Sequence, residues 1–165
     1  MIKTKFFATI KHLMLFAFIL FWLIHIFPIP VRIEAPAIEI MLNDDGHFYE
    51  RVVRINGWYR INLFSHHRFN GQIEISGYPK TFYDMERLLL HRNAFARGRF
   101  DLMFYAGQRF SVLYTRWVFN DAAIMLPDEN GHLNSSTSPF VVLHKLCRLE
   151  AMDVLNIFGH VSPKD

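Results

Sequence analysis

At 165 residues, 52% of them apolar and 16% aromatic, the chain has room for one domain with a core of its own and too little for two. Its net charge of +3 invites a nucleic-acid reading, but Lys3, Lys5 and Lys11 supply all of it. From Arg32 onward 15 basic residues meet 15 acidic ones, which excludes a global basic footprint. Cys147 is the single cysteine, so no intramolecular disulfide can form, and it reads as a small buried hydrophobe.

In chain order, residues 1–11 form a basic stub. Residues 12–31, HLMLFAFILFWLIHIFPIPV, contain no Asp, Glu, Lys or Arg. Twenty residues rising as a helix cover about 30 Å, the hydrocarbon thickness of a bilayer, so this segment is expected to be a single transmembrane helix acting as a signal anchor. Three lysines precede it and only Arg32 closely follows. That bias places the N-terminus in the cytoplasm and the rest of the chain outside the cell membrane. Ala35-Pro36-Ala37 imitates a signal-peptidase site, and cleavage there would give a secreted protein, but the apolar run is longer than an ordinary signal sequence.

Pro28, Pro30 and Pro36 disfavour helix and mark an extended linker, assigned to 32–37. The remainder, 38–165, alternates apolar and polar residues with the period of half-buried strands. Ile38, Ile40 and Leu42 share one face, with Glu39 and Met41 on the other, and Asn43-Asp44-Asp45-Gly46 turns the chain. Val53 with Ile55, then Tyr59, Ile61 and Leu63, and then Ile73 with Ile75 repeat the pattern. Residues 81–92, TFYDMERLLLHR, suit a helix through Phe82, Met85, Leu88 and Leu89, or a continuing strand. Phe100, Leu102 and Phe104 pair with Phe110, Val112 and Tyr114 as a hairpin turning at Ala106-Gly107-Gln108. A strand is expected within 117–126, a polar loop over 127–138 and another strand over 140–143. Within 147–158, Ala151, Val154, Leu155 and Phe158 follow helical spacing, with Gly159 as a stop.

No motif identifies a chemistry. His47 with His66-His67 is the one histidine grouping, but adjacent histidines on a strand point apart and no spaced carboxylate or cysteine completes a ligand set, so no metal or cofactor is expected. Asp44-Asp45 and Asp128-Glu129 lie in turns, no Gly-x-Ser-x-Gly elbow occurs, and phosphate-loop and dinucleotide fingerprints are absent. Asn134-Ser135-Ser136 is a glycosylation sequon in the polar loop. The charge map carries the strongest signal: between Arg87 and Arg116 six arginines accompany the single acid Asp101. Arg92, Arg97 and Arg99 surround Phe95, a combination of guanidinium forks and an apolar wedge suited to lipid headgroups or an acidic protein.

These readings describe an α+β protein: a transmembrane helix, then a mainly antiparallel β domain, sheet or sandwich, with a C-terminal helix. Its expected role is non-catalytic. The helix holds the bilayer, and the outer domain binds a protein or envelope partner through a patch at Arg92, Phe95, Arg97 and Arg99. The alternative is a membrane-tethered enzyme or small-ligand carrier with a pocket between sheet and helix.

Overall fold

Alternating apolar residues produce eight antiparallel strands, each paired with the next, and the last returns to the first: the order β1 to β8 closes into a barrel. The strands are β1 (Ile29–Met41), β2 (Asp44–Arg60), β3 (His67–Ile75), β4 (Leu88–Arg92), β5 (Arg99–Tyr105), β6 (Gln108–Arg116), β7 (Asp121–Met125) and β8 (Phe140–Leu143). A helix α1 (Ile2–Ile26) precedes them, α2 (Arg148–Ile157) follows, and a single 3-10 turn, Pro79–Phe82, links β3 to β4. The computed structural model describes residues 2–62, 65–92, 98–116, 118–128, 130–145 and 148–157. Cys147 lies outside them.

Several expectations are corrected. The protein is mainly β, and the domain is a closed barrel rather than an open sheet or sandwich. Closure removes the exposed strand edges that an open sheet must protect. The segment 12–31 is not one helix: α1 ends at Ile26, and Ile29, Pro30 and Val31 pair with Tyr59, Trp58 and Gly57. Within α1 the described side chains are those of residues 10–20, 22 and 23, and among the described residues no helix is long and apolar enough to cross a membrane. Residues 32–37 are strand rather than linker. β8 joins β1 only from Ala37 onward, so Pro30 and Pro36 lie where β1 has β2 as its one ladder neighbour, the position in which a missing N–H is tolerated. Within 81–92, a segment read as helix or strand, the 3-10 turn ends at Phe82 and the strand occupies only Leu88–Arg92. Leu88 and Leu90 are buried on either side of exposed Leu89, the period of a strand.

Two cores result. Inside the barrel pack Val53, Ile55, Tyr59, Phe69, Ile73, Leu90, Met103, Leu113 and Phe119, among others. Outside it, α2 lays Ala151, Val154 and Leu155 on Ile38, Ile40, Val112, Ala123, Met125, Phe140 and Val142. The apolar face of residues 38–42 therefore points out of the barrel, beneath α2, and Glu39 points in.

One glycine pair shapes the interior. Gly57 and Gly71 are register partners on β2 and β3, and a Cβ on Gly71 would lie 2.2 Å from the Asn56 carbonyl oxygen and 2.5 Å from the Gly57 Cα. The absence of both side chains lets the fully buried Phe69 ring lie across them, where it meets Phe119 edge to face at 5.0 Å. Phe119 reaches that position from the β6–β7 turn, where Val118 and Phe119 have φ of 52° and 67°. Such values are strained for a β-branched residue and a bulky one. The Thr115 hydroxyl accepts the Phe119 N–H at 3.2 Å and helps hold the turn.

Candidate functional site: an arginine groove beside the helix junction

The near end of the barrel is the one that α1 enters. On its outer wall Arg60 of β2 and Arg68 of β3 are direct register partners, as are Trp58 and Asn70, while Pro30 of β1 pairs with Trp58 from the other side. Even-numbered side chains of β2 and β3 point outward, because Tyr59 and Phe69 between them are buried inside. Arg87, just before β4, completes the arrangement. Pro28, Trp58, Arg60, Arg68, Asn70 and Arg87 line an open groove of about 690 Å³. All three arginines are exposed, Trp58 is 53% exposed, and among the described residues no carboxylate lines the groove.

The electrostatics are unusual for a purely structural surface. Like charges directly opposite on neighbouring strands destabilise a sheet, and Arg60 and Arg68 occupy that relation with Arg87 close by. Among the described residues none of the three forms an ion pair; the wall's one pair, Arg54 with Glu34 at 3.3 Å, lies farther along β2. Guanidiniums present fork-shaped donors suited to carboxylate and phosphate oxygens, and the indole adds an apolar floor. The arrangement can bind an anion. Its described lining residues offer cationic donors and an indole.

Immediately beneath the groove, Tyr59 and His67 point inward. The Tyr59 hydroxyl lies 2.6 Å from His67 Nδ1. Burial pushes the phenol up to about 12, so it keeps its proton and donates. Burial, with the nearby Arg99 cation adding, pushes His67 down to about 4, so the neutral ring accepts. Arg99, whose own value burial lowers, donates through Nη1 to the Leu90 carbonyl at 3.3 Å.

The far end of the barrel carries the only buried carboxylate among the described residues. Glu39, 2% exposed, accepts from Arg51 Nε at 2.8 Å and lies 2.8 Å from His47 Nε2. The Arg51 guanidinium lies 5.4 Å from the ring centroids of both Tyr49 and Tyr78. Burial and the Glu39 carboxylate hold the Tyr78 phenol well above its usual value. Both Glu39 oxygens are thus engaged, and the cluster reads as a polar clasp between β1 and β2 rather than an acid free for catalysis.

The patch expected from the sequence is only partly assembled. Phe95 and Arg97 lie outside the described residues. Arg92 and Arg99 are register partners on β4 and β5, with Arg92 exposed at the rim and Arg99 turned toward Tyr59. Among the described residues Asp101, the lone acid of that stretch, pairs with neither Arg92 nor Arg99. Its carboxylate accepts the Leu89 N–H across the seam and the Leu102 N–H at 2.8 Å, standing in for backbone partners where β4 and β5 pair only through His91–Phe100 and Arg92–Arg99.

The histidine grouping is also separated: His47 sits at the far end, while His66 lies against His91 at the near end, the rings tilted by 43° with centroids 3.9 Å apart. Among the described residues no group of three metal-ligating side chains forms. Sequence reasoning missed the groove because its arginines come from three separate elements. The available signal was the β2–β3 hairpin in register, which sets Trp58-x-Arg60 against Arg68-x-Asn70. Comparisons with protein-family models, curated proteins and solved structures find no match to this chain.

Proposed function

We propose that this protein is a membrane-anchored, non-catalytic binding module, in which α1 inserts in the bilayer and the barrel is displayed at its outer surface. The observation that carries this reading is the surface of α1. Residues 10–20 are eleven consecutive helical positions, all exposed, and they include Leu13 and Met14 at 69% and Phe16 at 65%. A helix with apolar side chains on every face has no water-facing side. An in-plane amphipathic helix would carry one.

The sequence extends the apolar run on both sides. From 12 to 26 it is uncharged, about 22 Å of helix, and residues 6–10, FFATI, lengthen it across Lys11. The Lys11 ammonium can snorkel to the interface, and Lys3 and Lys5 favour a cytoplasmic N-terminus. Phe27 and Trp58, both exposed at the junction, suit the headgroup layer, where aromatic residues concentrate.

The barrel supports binding over catalysis. Its interior is occupied by Tyr59, Phe69, Phe119 and Met103, and the sheet–α2 seam is filled by Ala151, Val154 and Leu155, which leaves little room for the small-ligand pocket of the alternative reading. Membrane fractionation with carbonate extraction, combined with protease protection, tests the proposal. The protein stays in the pellet and the barrel is cut only from the outer side. Release by carbonate would refute insertion, and cleavage from the cytoplasmic side would refute the orientation.

A further inference from the structure

We propose that the groove formed by Trp58, Arg60, Arg68 and Arg87 binds the phosphate of an anionic phospholipid headgroup in the leaflet from which α1 emerges. The inference rests on the membrane reading above and specifies the ligand of that surface.

Four observations converge. Three exposed guanidiniums from β2, β3 and the approach to β4 line one groove with no carboxylate among its described lining residues. Two of them are held opposite each other by the register itself, a repulsive geometry that a bound anion relieves. The forked donors of arginine match phosphate oxygens two at a time. Pro28, two residues past the end of α1, is part of the lining, so an inserted helix holds the groove at headgroup height.

The exposed apolar residues fit the same depth. Phe27, Trp58 and Leu89 are 60%, 53% and 40% exposed. Phe27 follows α1 directly, Trp58 lines the groove, and Leu89 is the register partner of Arg68. Apolar side chains around a cationic groove suit a ligand with a phosphate at one end and acyl chains at the other. A soluble phosphate ester would use only the arginines. Farther along the same wall, Arg54 is paired with Glu34, whereas among the described residues the three groove arginines form no ion pair.

The full-length protein is reconstituted in nanodiscs containing phosphatidylcholine and phosphatidylglycerol, and the lipid retained on mild detergent extraction is quantified by native mass spectrometry. The wild type is expected to retain phosphatidylglycerol above its bulk fraction. Replacing Arg60→Gln and Arg68→Gln together is expected to lower that enrichment about tenfold, on the scale of losing charge-assisted hydrogen bonds. Lys80→Gln with Arg109→Gln removes the same charge at the far end and leaves the enrichment unchanged.

Equal loss in both double variants would reduce the effect to net charge and overturn the site. So would absence of enrichment in the wild type. Inorganic phosphate is titrated in a separate arm, read by protection of the arginines from phenylglyoxal. Protection by millimolar phosphate without phosphatidylglycerol enrichment would overturn the lipid source in favour of a soluble phosphate. Carbonate extraction is run on every variant: groove variants that stay membrane-bound yet lose enrichment isolate the groove, whereas wild-type protein released by carbonate refutes the anchoring reading itself.

Discussion

The barrel has two outer walls of opposite character. Around β1 and β6–β8 the outward residues are Ile38, Ile40, Val112, Ala123, Met125, Phe140 and Val142, and the chain covers them with its own C-terminal helix. Around β2–β4 they are Arg54, Asn56, Trp58, Arg60, Arg68, Asn70 and Leu89, and nothing in the described chain covers them. Both walls enclose the same apolar interior, so the inside of a strand does not determine what its outside does. The covered wall is where outward residues serve stability, and the bare wall is where they conflict with it. A local conflict that the fold does not compensate is characteristic of a functional surface.

The covered wall is the first place to break this contrast. Leu155 is fully buried between α2 and the sheet, and Leu155→Ala removes its packing and leaves a cavity. Such truncations cost about 3 kcal/mol. Urea titration of the full-length protein in detergent, followed by pulse proteolysis, is expected to show a clear drop in midpoint. A change below about 0.5 kcal/mol, the range of ordinary surface substitutions, would mean that α2 is not a load on the barrel's stability and that the two walls differ less than described.

Much of this contrast is legible in the sequence, and the exceptions have physical causes. The β5–β6 hairpin is clear because Ala106 and Gly107, with φ of 48° and 77°, form the tight turn that the dipeptide suggests. The terminal helix is equally clear, with Ala151, Val154 and Leu155 at helical spacing and all buried. The polarity of β1 is not. Alternation shows that Ile38 and Ile40 share a face, but it cannot tell the inside of a barrel from an outside covered by a helix, and only Glu39 turned inward onto Arg51 decides it.

Pro30 and Pro36 concealed the first half of β1, since tolerance of proline depends on whether a second strand lies alongside. The groove was hidden for a related reason. Arg87 could be assigned to the 87–116 cluster or to the β2–β3 surface, and only strand pairing places it with Arg60 and Arg68.

The bare wall supplies a second, smaller test. Relieving the cross-strand repulsion with Arg60→Gln and Arg68→Gln is expected to raise the urea stability of the barrel by about 0.5–1 kcal/mol in a neutral detergent at low salt. The gain shrinks as salt screens the pair. Stability that falls in the double variant would show that these arginines hold the wall together, and the contrast between a covering wall and a binding wall would lose its electrostatic half.

A third test lies just beneath those arginines. His67 is held down to about 4 by burial and by Arg99, against about 6.5 for an unfolded chain. Between those values the unfolded state binds more protons than the folded state, so stability rises with pH across that window. The contribution is full above pH about 6.5 and is lost as pH falls toward 4. The Asp128 carboxylate, which the His132 N–H holds below its ordinary value of about 3.8, titrates below the window. His67→Gln keeps an oxygen acceptor for the Tyr59 hydroxyl and removes the titration. Melting temperatures of the two proteins at pH 7 and pH 5 are compared as a difference of differences, which cancels the other histidines. The wild type is expected to lose more than the variant on acidification. Equal losses would mean that His67 is free to protonate in place, and that the inner side of the bare wall is wetter than its Tyr59 hydrogen bond implies.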